Sequence, residues 1–251
     1  MKIKPILGVC IAVLLVVSAP AVQDEAVSSK DGLVVCTSAP ACDTGAAVLA
    51  KGGSAVDAAV ATGFALAVTL PSAGNIGGGG FMVVRNPSGE VTSFDYREKA
   101  PLKATRTMYM RDGKVVSALT SAGHLAAGVP GSVRGMAMAH GKFGKLPWKD
   151  LVMPAVRLAE EGFELSPALA RALNAQLFGA MGRFPASVAA YGKPGGGSWA
   201  AGDRLVLGRE DDPYLGIDER GGFVNRKSPA AYLNATRDGR TEVPPEADAS
   251  S

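Results

Sequence analysis

A run of four glycines, Gly77 to Gly80, joins two segments of opposite character and constrains the fold more than any other feature. Upstream, residues 54–68 are rich in alanine and begin with Ser54 and Asp57 at capping-box spacing, which predicts a buried helix. Downstream, FMVVR and EVTSFDY are short and rich in β-branched and aromatic residues, with the turn sequence NPSG between them. We therefore expect the chain to pass from a helix to a β-hairpin through the glycines.

Glycine-rich loops are also typical of nucleotide phosphate sites. Such a site needs a strand before the glycines and a helix after them, because the phosphate binds amides at the helix N-terminus. Here the predicted order is reversed, and no lysine follows the glycines at Walker spacing. The sequence therefore disfavours a nucleotide site.

Residues 1–21 have the three regions of a secretory signal peptide. Lys2 and Lys4 precede an apolar run from Ile6 to Val17, and Ala19-Pro20-Ala21 is a small-residue cleavage site. The alternative, a membrane anchor, is less favoured because the apolar run is short for a bilayer. We therefore expect a periplasmic or secreted protein with no membrane contact after signal removal.

Composition narrows the class of protein and of partner. A content of 47% hydrophobic and 20% charged residues excludes wholesale disorder. Removal of Lys2 and Lys4 with the signal lowers the formal net charge from +3 to about +1, and no basic stripe remains. Nucleic acid is therefore not an expected partner.

Two cysteines, Cys36 and Cys42, follow the predicted signal peptide. An oxidising export compartment permits a disulfide between them. Metal binding is the alternative, but no further Cys or His lies near enough in sequence to complete a tetrahedral set. We expect structural cysteines, either free or singly bridged, and no metal site.

The rest of the chain predicts one more strand and several helices. GLVVCTSA, residues 32–39, is typical of a strand, and ACDTGAAVLAKGG after it predicts a helix ending at Gly52-Gly53. Three further helices are expected: from a cap at Ser132 to about His140, from Pro147 to Gly162 with a break or kink at Pro154, and from a cap at Ser166. Residues 207–251 are polar and poor in periodic apolar positions, so we expect a divergent, partly disordered tail.

Arg97, in the sequence DYREKAP at the end of the hairpin, is the candidate binding residue. Its guanidinium is a planar fork of donors that matches a carboxylate in a bidentate manner. A structural ion pair with Asp95 or Glu98 is the alternative, which residue chemistry alone favours. The two histidines, His124 and His140, lie in glycine- and alanine-rich contexts, and no G-x-S-x-G occurs, so a Ser-His-Asp enzyme is disfavoured.

Several motifs in succession resemble the N-terminal part of the γ-glutamyltranspeptidases, or glutathione hydrolases, of the bacterial periplasmic type. They are KGGSAVDAAVATGFALAVTLPSAGNIGGGGFMVVR, SFDYREKAP and LTSAGHLAAGVPGSVRGMAMAHGKFGKLPW, in the order of the family. The resemblance covers residues 32–206, which we assign as a large-subunit-like region. It implies an α+β fold, the αββα sandwich of N-terminal-nucleophile hydrolases, here incomplete because the small subunit is lacking.

The resemblance also implies a reaction and a role for Arg97. In that family a proenzyme cleaves itself, and the new N-terminal threonine of the small subunit attacks the γ-glutamyl amide of glutathione. The γ-glutamyl group then passes to water or to an acceptor amino acid or peptide, without a metal or organic cofactor. The implied partners are glutathione, other γ-glutamyl compounds and a small subunit, and Arg97 falls on the arginine that binds the substrate carboxylate.

The sequence departs from the family in three places. It has no Thr-Thr-His or Thr-Ser-His processing site, and Ala39 replaces the usual histidine of the first strand-to-helix loop. The segment after Val206 does not continue as the family does, where a long helical region is expected. Because the nucleophilic threonine is absent from this chain, we assign no catalytic residue and expect a truncated chain that is inactive alone. Two alternatives stay open: a non-catalytic relic or γ-glutamyl-binding protein, and a half-enzyme that needs a separately encoded small subunit.

Overall fold

The structure is a computed structural model that describes residues 27–207 and the short strand pair Gly216–Ile217 and Phe223–Val224. The predicted signal peptide and most of the predicted tail lie outside the described residues, and both stay predictions. Contacts divide the chain into two units between Lys30 and Asp31, and every element described below lies in the second unit.

Helices dominate the described residues. They are α1 (Ala39–Ala50), α2 (Ala55–Thr69), α3 (Ala118–Ser121), α4 (Ser132–Phe143), α5 (Trp148–Glu161), α6 (Pro167–Phe178) and α7 (Pro185–Tyr191), with 3-10 turns at His124–Ala126 and Met181–Arg183. The strands form four antiparallel pairs: β1 (Phe81–Arg85) with β2 (Val91–Asp95), β3 (Met110–Arg111) with β4 (Lys114–Val115), β5 (Phe163–Glu164) with β6 (Arg204–Leu205), and β7 (Gly216–Ile217) with β8 (Phe223–Val224). None of the described helices is both long and apolar enough to cross a bilayer.

Helix α2 is the centre of the main core, as its alanine-rich sequence predicts. It packs against α1, α4 and α5, and small buried residues such as Ala61 and Ala65 let the neighbouring backbones approach closely. The Phe64 ring meets Trp148 of α5 edge to face, with the ring centroids 5.4 Å apart. The predicted capping box is confirmed, because Ser54 Oγ accepts from Asp57 N–H and the Asp57 carboxylate accepts from Ser54 N–H.

Asp57 has a second task that its capping position does not reveal. Its buried carboxylate also accepts hydrogen bonds from the backbone amides of Lys145 (2.9 Å) and Leu146 (3.3 Å), in the loop before α5. Burial by itself raises the pKa of Asp57, but the three backbone N–H donors outweigh burial and hold the pKa below its ordinary value. The carboxylate therefore joins α2 to the α4–α5 connection.

The predicted hairpin is confirmed, and its two faces differ. β1 and β2 pair in a register that places Met82 opposite Phe94 and Val84 opposite Thr92, and these side chains face the helical core. The other face carries Phe81, Val83 and Val91, which are 63%, 70% and 58% exposed. We call these three side chains the bare face of the hairpin.

The strand predicted for residues 32–39 is wrong. No described residue forms a ladder with this segment, and α1 already begins at Ala39, with Pro40 in its first turn. Side-chain burial nonetheless alternates along the segment as it does in a strand. Val34 packs on the core, while Leu33 and Val35 are exposed. The sequence pattern reflects this alternation in burial, but a β-strand also requires a neighbouring strand with which to form backbone hydrogen bonds.

Two helix predictions need correction. Ser132 is the first residue of α4 and its side chain caps nothing, and the helix continues past Gly141 to Phe143, where Gly144 N–H bonds to the His140 carbonyl. At Pro154, where a break or kink was predicted, α5 does not break, since it runs continuously from Trp148 to Glu161, and the kink stays a prediction. A proline there removes one backbone hydrogen bond, and burial of residues on both sides holds the helix together.

A second, smaller core lies around α6. The predicted cap at Ser166 is confirmed, since its Oγ accepts from Leu169 N–H at 3.2 Å. Trp199 is buried beside the helix, where its indole N–H donates to the Tyr191 carbonyl at 2.8 Å. The buried members of this core are Phe163, Leu165, Leu169, Ala170, Leu173, Trp199, Leu205 and Leu207.

Candidate functional site

Arg97 follows the last residue pair of the hairpin and is exposed. Its backbone N–H donates to Asp95 Oδ1 at 3.0 Å, so the aspartate is used to turn the chain. Among the residues that the structure describes, no carboxylate lies within ion-pair distance of the Arg97 guanidinium. The fork of donors is thus available to a carboxylate from outside.

The glycine loop holds the backbone that carries Arg97. A Cβ built on Gly79 would lie 2.7 Å from Arg97 Cα, and one on Gly80 would lie 3.0 Å from the Tyr96 ring. Neither glycine has a positive φ, so close approach is what requires them. The Gly78 carbonyl accepts from the amides of Gly131 and Ser132, at 2.8 and 3.0 Å, which joins the loop to the start of α4.

The segment after Arg97 is fixed to a second loop. Lys99 and Val129 exchange two backbone hydrogen bonds, of 3.2 and 2.8 Å, as an isolated antiparallel bridge. A surface pocket of about 400 Å³ lies beside this bridge. One of the residues that line it is Glu98, which follows Arg97 in the sequence. The other residues that line the pocket are Lys99, Ala100, Pro101, Ala104, Thr105, Met108, Tyr109, Ala126, Ala127 and Gly128.

Tyr96 is the member of the site that sequence reasoning missed. Its ring lies against Gly135 of α4, where a Cβ would overlap the ring atoms, and its hydroxyl donates to the Phe81 carbonyl at 3.2 Å. Burial raises the pKa of Tyr96 above its ordinary value of 10.0, so the hydroxyl stays protonated and able to donate well above neutral pH. The available signal was the spacing of Gly131 and Gly135, at the N-cap of α4 and one turn into it, where both leave room for a neighbour.

The histidines take no part in this site as described. His140 Nε2 lies 2.8 Å from the Leu146 carbonyl and its ring packs on Trp148, while His124 lies exposed in a 3-10 turn. Cys36 and Cys42 form a disulfide that ties the segment before α1 to its first turn. Across the described residues, no group of three or more His, Cys, Asp or Glu side chains is placed to hold a metal ion.

Comparison with known proteins supports one family. The sequence profile of the gamma-glutamyltranspeptidases matches residues 41–210. The glutathione hydrolase proenzyme of Escherichia coli (strain K12) is 49% identical over 145 residues, which are 57% of this chain and 25% of that protein. The glutathione hydrolase proenzyme of Pseudomonas aeruginosa is 44% identical over 164 residues, 65% of this chain and 29% of that protein. The chain thus spans only part of the length of the curated relatives it matches.

Solved structures agree in fold. The gamma-glutamyltranspeptidase of Helicobacter pylori superimposes with a TM-score of 0.69 at 43% identity, over 72% of this chain and 52% of that one. A cephalosporin acylase from Bacillus halodurans, at 24% identity, shares the fold with a TM-score of 0.58 over 73% of this chain and 36% of that one. The expected α+β class, part of an N-terminal-nucleophile hydrolase sandwich, is confirmed. This chain belongs to the γ-glutamyltranspeptidase family.

Proposed function

We propose that the chain is the large-subunit part of a γ-glutamyltransferase and glutathione hydrolase, and that Arg97 binds the α-carboxylate of the γ-glutamyl substrate. The observation that carries the proposal is the exposed guanidinium of Arg97, which has no described ion-pair partner and stands on a backbone held from two sides. A bidentate pair with a carboxylate needs such a fixed, unengaged fork.

The reaction proposed for the whole enzyme needs a nucleophile besides Arg97. A threonine hydroxyl adds to the γ-carbonyl carbon, the γ-amide C–N bond breaks, and the amine leaves after taking a proton. Water or an acceptor amine then attacks the acyl-enzyme and releases the threonine. We assign this chain the task of holding the substrate carboxylate, so that the γ-carbonyl meets the nucleophile in a fixed orientation.

The proposed source of the nucleophile is a small subunit, and the bare face of the hairpin supports this partner. Phe81, Val83 and Val91 point away from the helical layer and are more than half exposed. In a sandwich of two sheets, such a face is covered by the other sheet. We therefore propose that this chain is inactive alone and becomes active when a small subunit covers the bare face.

Export to the periplasm or beyond is part of the proposal. The signal-like pattern of residues 1–21 supports it, and so does the Cys36–Cys42 disulfide, since disulfides persist in oxidising compartments. Glutathione and other γ-glutamyl compounds are the proposed substrates.

The role of Arg97 is tested by Arg97→Lys, which keeps the charge and loses the fork. We expect kcat/KM for a γ-glutamyl anilide to fall at least about tenfold in the chain paired with the small subunit of the E. coli relative. Arg85→Lys, at the far end of the same hairpin, is the matched control, because Arg85 is also exposed and is remote from the site. An unchanged kcat/KM in Arg97→Lys would remove Arg97 from the site.

A further inference from the structure

Tyr96 is packed against glycines from two segments. Near the start of α4, a Cβ on Gly131 would overlap the Tyr96 carbonyl and a Cβ on Gly135 would overlap the Tyr96 ring. In the glycine loop, a Cβ on Gly79 would lie 2.7 Å from Arg97 Cα and from the Tyr96 carbonyl oxygen, and a Cβ on Gly80 would lie 3.0 Å from the Tyr96 ring. The ring and the backbone that follows it therefore fit closely against both segments.

Hydrogen bonds fix the same residue along the strand direction. Tyr96 N–H donates to the Gly80 carbonyl at 3.0 Å, which extends the hairpin ladder by one bond. Its hydroxyl donates to the Phe81 carbonyl at 3.2 Å. The backbone of Tyr96 and its side chain thus both bind the start of β1.

Arg97 is held through its backbone and not through its side chain. The side chain is exposed, while the backbone N–H donates to the neighbouring Asp95 carboxylate and the Cα lies against Gly79. The place of Arg97 therefore depends on how closely the backbone from Tyr96 onward is packed, and a misplacement of about 1 Å in a binding group is enough to cost up to about a hundredfold.

We propose that Tyr96 is a positioning residue: its ring, packed on Gly135 of α4, sets the place from which Arg97 reaches the substrate carboxylate. This inference rests on the proposed function of Arg97. Tyr96 would affect substrate binding only by positioning Arg97, without contacting the substrate itself.

The first test measures Arg97 in the full chain without substrate. Tyr96→Ala removes the ring, Tyr96→Phe keeps the ring and loses the hydroxyl, and Val84→Ala shortens another half-buried side chain at the far end of the hairpin. We expect the 15N order parameter of the Arg97 amide to fall from the rigid range near 0.85 to below about 0.6 in Tyr96→Ala. Tyr96→Phe should recover most of the loss, and Val84→Ala should leave the Arg97 amide rigid. A rigid Arg97 amide in folded Tyr96→Ala overturns the inference.

The second test measures KM and kcat in the chain paired with the E. coli small subunit. Tyr96→Ala should raise KM for a γ-glutamyl anilide about tenfold and change kcat less than about threefold, with most of the loss recovered in Tyr96→Phe. In the Arg97→Lys background, Tyr96→Ala should add little, because both changes remove the same interaction. Fully additive effects would show that Tyr96 acts without Arg97 and would overturn the inference. If Arg97→Lys alone has no effect, the proposed function fails, while the order parameter still decides whether Tyr96 positions Arg97.

Discussion

Asp57 and Lys145 are joined by a hydrogen bond of 2.9 Å between a buried carboxylate and a backbone amide, across 88 positions of sequence. The same carboxylate caps α2 at its N-terminus and receives Leu146 N–H. The Asp57 carboxylate therefore links the N-terminus of α2 to the loop before α5, and the hairpin and Arg97 lie in the chain between these two points.

Asp57→Asn should destabilise the chain by about 2 kcal/mol, because hydrogen bonds to a charged acceptor are stronger than those to an amide oxygen. The measurement is the free energy of unfolding in urea at pH 7. Asp43→Asn, on the exposed face of α1, is the matched control and should change it by less than about 0.5 kcal/mol. Equal losses in the two variants would contradict the role given to Asp57.

The pH dependence of stability should carry the signature of the same carboxylate. The pKa of Asp57 is lowered from its ordinary value of 3.8 in the folded chain, so the folded state favours the ionised form. Its contribution is fully present above that value and is lost as the pH falls through the lower folded pKa. The stability difference between wild type and Asp57→Asn, measured in urea from pH 7 to pH 2.5, should therefore shrink below about pH 4. A difference that stays constant over this range would rule out the lowered pKa.

The same substitution should have different effects at two neighbouring valines of β1, because one faces the helical core and the other lies on the bare face. Val84→Ser places a hydroxyl against the helical core and should cost about 2 kcal/mol of unfolding free energy. Val83→Ser, on the bare face, should cost less than about 0.5 kcal/mol in the chain alone but weaken pairing with a small subunit at least about tenfold. Urea unfolding and calorimetric titration measure the two effects. Val83→Ser that pairs as tightly as wild type would show that the bare face is not the docking surface.

The Cys36–Cys42 disulfide closes a short loop and should add about 2 kcal/mol to stability by the chain-entropy relation. Dithiothreitol should lower the unfolding free energy of wild type by that amount. It should leave the double variant Cys36→Ser, Cys42→Ser unchanged. A wild-type stability that is indifferent to the reductant would mean that the bridge constrains little.

The sequence correctly predicted those caps and turns that depend on interactions between residues close together in the chain. The capping box of Ser54, the cap at Ser166 and the turn of the β1–β2 hairpin all depend on residues within a few positions of one another. The strand expected at residues 32–39 failed, because a ladder depends on a partner elsewhere. At Pro154 the break does not occur, and α5 is continuous with buried residues on both sides of the proline, which a local rule does not take into account.

In the candidate site, too, the sequence indicated the residue that its own motif identifies, and it missed the residue that matters through contacts distant in the chain. Arg97 was found from its chemistry and its motif, and its role in the site stays a prediction. Tyr96 was missed, since its importance comes from contact with Gly131 and Gly135, far along the chain, and the spacing of those glycines does not by itself name the residue they contact. The glycine loop was recognised as a passage from helix to hairpin, but only the structure shows that Gly79 makes room for Arg97 itself.

The most direct measurement of the central claim is the hydrolysis of a chromogenic γ-glutamyl anilide by the purified chain, alone and with the small subunit of the E. coli relative. We predict no hydrolysis by the chain alone and hydrolysis once the small subunit is added. Hydrolysis by the chain alone would contradict the claim that its nucleophile comes from another subunit. Silence in both cases, with the fold confirmed by circular dichroism, would contradict the claim that this chain supplies half of a working site.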